Sequence, residues 1–79
     1  MNELFLQEYN EERVVYLYIP EGKGKPGEIV YVFSKKEAEI ARRAEEDPSG
    51  RYGHNAVRRI KECVEDNHNL PISTIQAWG

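Results

Sequence analysis

Two stretches of this chain are apolar without interruption: Val14-Val15-Tyr16-Leu17-Tyr18-Ile19 and Ile29-Val30-Tyr31-Val32-Phe33. Both are short and built from β-branched and aromatic residues, so each reads as a strand. Successive side chains of a strand point to opposite faces. Val14, Tyr16 and Tyr18 therefore oppose Val15, Leu17 and Ile19, and Ile29, Tyr31 and Phe33 oppose Val30 and Val32. An antiparallel sheet with one wetted face shows polar residues at alternate positions. These strands do not, so their sheet needs cover on both faces.

The surroundings of the two runs fix how they pair. Asn2 to Tyr9 supplies a further strand, ahead of strands over Arg13 to Ile19 and Glu28 to Phe33. Asn10-Glu11-Glu12 is a hairpin connection, and Pro20 to Gly27 is a longer one. Neither is long enough for a parallel crossover, so the sheet is an antiparallel meander in order 1-2-3.

After the sheet the pattern changes. Ser34-Lys-Lys-Glu37 is a capping box, predicting a helix to about Glu46, where Asp47-Pro48 stops it. Its apolar stripe is Ala38, Ile40, Ala41 and Ala44. A second helix is expected from Asn55, as N-cap, to Asp66, with Ala56, Val57, Ile60, Cys63 and Val64 on one side. The tail Leu70 to Trp78 suits either a short edge strand or a helical turn packing Ile72, Ile75 and Trp78 on the domain. It is too short for the recognition helix of a helix-turn-helix unit. The expected fold is α+β: one domain over residues 1–79, a three-stranded antiparallel meander followed by two helices, with a C-terminal edge strand as an option.

Composition narrows the function. The 79 residues carry a net charge of −3, against a generic binder of phosphate backbones. No apolar run approaches a membrane span, no signal-peptide pattern opens the chain, and the single cysteine fits a reducing compartment, so the expected location is cytoplasmic.

The chemical motifs are weak. Gly22-Lys-Gly24-Lys-Pro-Gly27 spells a dinucleotide-binding loop, but a strand follows it instead of the helix N-terminus that would hold a pyrophosphate. Cys63 lies in an apolar stripe, where a thiol packs as a small hydrophobe. His54, Cys63, Asp66 and His68 have no metal-ligand spacing. No enzyme activity, cofactor or metal is expected.

Two surfaces remain. The helices can cover one sheet face, leaving the other for a protein partner or a second copy. Its expected anchors are Tyr16, Tyr18, Tyr31 and Val14, tyrosine combining apolar area with a polar tip. Size and acidity fit a small regulatory or inhibitory protein, such as those of mobile elements that act on nucleic-acid-processing enzymes. The alternative is nucleic-acid binding by Arg51, Tyr52, His54, Arg58 and Arg59, with cations for phosphate and an aromatic for stacking.

Overall fold

In the computed structural model, which describes residues 1–67 and 73–76, the two apolar runs lie side by side in a five-stranded sheet. The strands are β1 (Asn2–Tyr9), β2 (Arg13–Pro20), β3 (Gly27–Val32), β4 (Glu37–Arg42) and β5 (Ser73–Gln76). Their order is β4-β3-β2-β1-β5, and every neighbouring pair is antiparallel. One α-helix, α1 (Arg51–Glu62), runs on into a π-helical turn, Cys63–Asn67. The fold is α+β, and the expected 1-2-3 meander forms the middle of the sheet.

Cross-strand register decides which side chains share a face. Leu4 pairs with Tyr18, Leu6 with Tyr16, Tyr16 with Ile29, and Val14 with Tyr31. Ala56 and Ile60 of α1, with Val64 beyond it, pack onto that face and complete the core. Val14, Tyr16, Tyr18 and Tyr31, the expected partner anchors, are all at most 2% exposed. They hold the helix instead of meeting a partner. Sequence alternation separated the two faces but did not say which one the helix would choose.

The first predicted helix is a strand. Ala, Glu, Lys and Arg favour helix locally, yet Glu37-Ala38-Glu39-Ile40 also alternates with the period of a strand. Ala38 and Ile40 pack against the core, while Glu37 and Glu39 stay exposed. Pairing with β3 extends the ladder along a strand that would otherwise be an edge. Lys36 takes a left-handed φ of 53°, and its N–H donates to the Val32 carbonyl (2.9 Å), closing a turn where the capping box would have opened a helix. Non-local pairing outweighs local propensity here.

The remaining helix begins four residues before its expected N-cap, Asn55. Its N-cap position is Gly50, in a left-handed conformation, and Asp47, expected only to end a helix, instead holds the first turn of this one. Its Oδ1 accepts from the Tyr52 N–H (3.0 Å) and its Oδ2 from the Gly53 N–H (2.9 Å), satisfying two of the unpaired donors in the first turn. The optional edge strand is present as β5, paired with β1 from Asn2↔Gln76 to Phe5↔Ser73. The alternative packing of Ile72 and Trp78 falls outside the described residues.

Tyr18 locks sheet, loop and helix together. Its hydroxyl accepts from the Ala44 N–H (2.9 Å) and donates to Asp47 Oδ2 (2.9 Å), and both Tyr18 and Asp47 are fully buried. The ring fits only because its neighbours are glycines. A Cβ on Gly27 would strike the Tyr18 ring, and one on Gly53 would lie 2.8 Å from its hydroxyl.

Burial of the tyrosines predicts alkaline sensitivity. Desolvation, with a smaller contribution from Cys63, pushes the Tyr16 hydroxyl up to about 12 from its ordinary 10. Tyr18 and Tyr31 are raised too, chiefly by desolvation. The unfolded chain loses these protons near pH 10 while the folded protein holds them, so stability is intact below pH 10 and falls as pH rises toward 12. The Tyr16 shift alone corresponds to about 2 kcal/mol lost over that window. Urea midpoints across it should show the decline, with a shallower slope in Tyr16→Phe.

Candidate protein-interaction face

The face of the sheet turned away from α1 carries a coherent apolar band. Phe5 pairs with Leu17, Val15 with Val30, Glu3 with Ile19 and Arg13 with Val32. Val15 is buried, Phe5 is 38% exposed, and Leu17, Ile19, Val30 and Val32 are partly exposed. Among the described residues, the one α-helix packs on the opposite side.

Two irregularities in the strands shape this face. Between Leu6 and Glu8 the register of β1 shifts by one residue, which returns Glu8 to the open side opposite Val15. A second shift, at Glu28/Ile29, leaves Ala41 unpaired and sets Arg42 opposite Glu28. Such bulges re-aim the side chains that follow them.

The band runs along β2 and β3 between two rows of carboxylates. Glu3 and Glu8 stand on the β1 side; Glu28 ends the β3 row, and Glu39 and Glu37 lie opposite Val30 and Val32 on β4. Arg13 and Arg42 are the cations aligned on this face, so five acids stand against two bases. Arg13 is already engaged: its Nε meets Glu8 at 2.7 Å, and that bond drives its pKa further upward. Arg42 donates to the Pro26 carbonyl (3.3 Å).

A separate cleft of about 490 Å³ opens where the end of β3 meets the π-helical turn, lined by Tyr31, Phe33, Lys36, Val64 and Glu65. Phe33 packs edge-on against Tyr31 (5.5 Å between centroids) and Tyr9 (6.2 Å), and the Tyr31 hydroxyl donates to Glu65 (3.2 Å). Tyr9, 60% exposed, forms the outer end of this aromatic row. The lining juxtaposes a phenol, a carboxylate and an ammonium without pairing a nucleophile with a base.

The residues named for nucleic-acid contact divide. Arg51, His54, Arg58 and Arg59 are exposed on α1, and the spacing of Arg51, His54, Arg58 and Lys61 places them on one side of it. Glu62 and Glu65, also exposed, follow within a turn. Tyr52 is not free to stack: it is half-buried, its hydroxyl donates to Glu21 (2.7 Å), and its carbonyl accepts from Asn2 Nδ2 (3.1 Å). The Glu21 bond is the main cause of its raised pKa. Cys63 is buried and His54 exposed, on different sides of the helical segment. The glycine-rich segment forms the β2–β3 connection, with Gly22 and Gly24 at positive φ.

Among the described residues, no helix is long and apolar enough to cross a membrane, and no three potential metal ligands converge. The expected anchors Val14, Tyr16, Tyr18 and Tyr31 lie on the side of β2 and β3 that α1 covers, and the partly exposed apolar residues lie on the other side. Phe5, absent from the expected anchors, is the most exposed apolar residue of the band, and its alternation with Leu4 and Leu6 marked it as facing away from them. No known protein family, curated protein or solved structure matches the chain.

Proposed function

We propose that this protein is a non-catalytic interaction module that docks a protein partner through the open face of its sheet. The observation that supports this is the band of Phe5, Leu17, Ile19, Val30 and Val32, apolar and partly exposed on a charge-rich exterior. Interfaces commonly combine such an apolar centre with a polar rim, and here the rim is acidic. A regulatory or inhibitory protein acting on the cationic surface of a nucleic-acid-processing enzyme has this character. A second copy fits less well, because two such faces would oppose like charges.

The test compares Leu17→Glu/Val30→Glu with wild type. Both positions border solvent, so thermal stability should stay within about 1 kcal/mol of wild type. Cross-linking and co-purification should lose the partner in this variant and keep it in Arg51→Ala/Arg58→Ala. The opposite pattern would favour the exposed basic side of α1. Nucleic-acid binding through that side would weaken steeply with salt, roughly in proportion to the phosphates neutralised.

A further inference from the structure

The shape and charge of the open face point to a specific occupant, and we infer that it is a cationic amphipathic helix of the partner protein. This rests on the open face being the docking surface. The apolar band is bordered by glutamates along both sides: Glu3 and Glu8 on β1, and Glu28, Glu37 and Glu39 toward β4. With strands about 4.8 Å apart, the acidic rows on β1 and β4 lie roughly 14 Å from each other, room for a helix of about 10–12 Å with flanking cationic side chains reaching to both. A helix laid along β2 would put one apolar stripe on Phe5, Leu17, Ile19, Val30 and Val32. Residues flanking that stripe on both sides would meet the two acidic rows, and lysines or arginines there are complementary.

Other occupants match less well. An added strand pairs with a sheet edge, whereas this surface is a face. A second sheet would extend over β4 and bury Glu37 and Glu39 against apolar side chains, which is costly without pairing. A second copy presents the same acidic excess. On its other side the sheet already carries a helix, α1, twelve residues long, packed chiefly on β4 and β3. From Arg13 to Ile19 the band is about 20 Å long, which a helix of roughly thirteen residues spans.

The test uses synthetic peptides of about fourteen residues and the full chain. The first has leucines at i, i+3, i+4 and i+7 with lysines flanking the stripe; the second replaces every lysine by glutamate; the third scrambles the first. The lysine peptide should bind on the order of tenfold or more tightly than either other peptide, as several partly screened charge pairs supply. It should gain helical circular dichroism on binding, and its binding should be lost with Leu17→Glu/Val30→Glu. Glu3→Lys/Glu39→Lys should shift the preference toward the glutamate peptide.

Equal binding of the lysine and glutamate peptides, both lost with Leu17→Glu/Val30→Glu, would overturn the cationic partner and leave the docking face standing. Scrambled and ordered lysine peptides binding alike would overturn the helix. Binding unchanged by Leu17→Glu/Val30→Glu would overturn both the occupant and the face. Failure of the lysine peptide to bind at all would overturn the occupant.

Discussion

Asp47→Ala is expected to cost about 3–4 kcal/mol and to leave much of the protein unfolded under mild denaturing conditions. The side chain is fully buried and takes three donors: the N–H groups of Tyr52 and Gly53 and the Tyr18 hydroxyl. Alanine leaves all three without this acceptor, the Tyr18 hydroxyl and the Gly53 N–H in buried positions and the Tyr52 N–H in a part-buried one. Each buried group stranded this way costs about 1–3 kcal/mol. A domain of this size has a total stability of only about 4–12 kcal/mol.

Graded substitutions separate the contributions. Asp47→Asn keeps the shape but sets an amide NH₂ against a donor on one of its two prongs, so it should fall between wild type and alanine. Tyr18→Phe removes the acceptor of the Ala44 N–H and one donor to Asp47, and should cost about 1–2 kcal/mol. Urea unfolding of both single variants and the double variant gives the coupling energy directly. An Asp47→Ala variant within half a kcal/mol of wild type, on the order of measurement error, would show that this network does not hold the helix to the sheet.

Gly27→Ala should be nearly as damaging for a steric reason. Gly27 sits opposite Tyr18 in the β2–β3 register, and an added Cβ would strike the tyrosine ring and lie 2.6 Å from the Ala44 nitrogen. One obstacle is a buried ring and the other is backbone, so neither can step aside cheaply. Over-packing of this kind costs about 1–3 kcal/mol and sometimes more, and this case should lie at the upper end. Gly22→Ala is the comparison: its φ of +67° carries strain of about 1–2 kcal/mol, but its nearest neighbour is the flexible end of Glu3 at 3.3 Å. Thermal unfolding should rank Gly27→Ala well below Gly22→Ala, and the reverse order would mean backbone strain outweighs the crowding at Tyr18.

What could be seen in the sequence follows the range of the forces involved. The meander was legible because its signals are local: uninterrupted β-branched and aromatic runs, joined by connections too short for a crossover. The fate of residues 37–42 was not. Alanine, glutamate and arginine favour a helix in isolation, and only the presence of β3 at hydrogen-bonding distance makes a strand the better answer. The start of α1 was hidden for a similar reason, since the side chain that holds its first turn, Asp47, also serves Tyr18, 29 residues away in sequence. At the candidate site, alternation divided Tyr16 and Tyr18 from Leu17 and Ile19 correctly. Which set would be covered depended on where α1 lay, and the tyrosines went inside because Asp47 and the N–H of Ala44 satisfy the Tyr18 hydroxyl there.

The pairing of β1 with β5 also sets a timetable. Asn2 and Gln76 lie opposite each other, yet almost the whole sequence separates them, while β1 to β4 join through short turns. Contacts between distant residues form late, because the loop-closure entropy must be met first. On the ribosome, at roughly 5–20 residues per second, the outer edge of β1 waits several seconds for its partner after the strand has been made. Through that interval Phe5 stands on an unpaired edge, a template for pairing between nascent chains. β5, made long after β1, is thus the strand that closes the outer edge of β1 against aggregation.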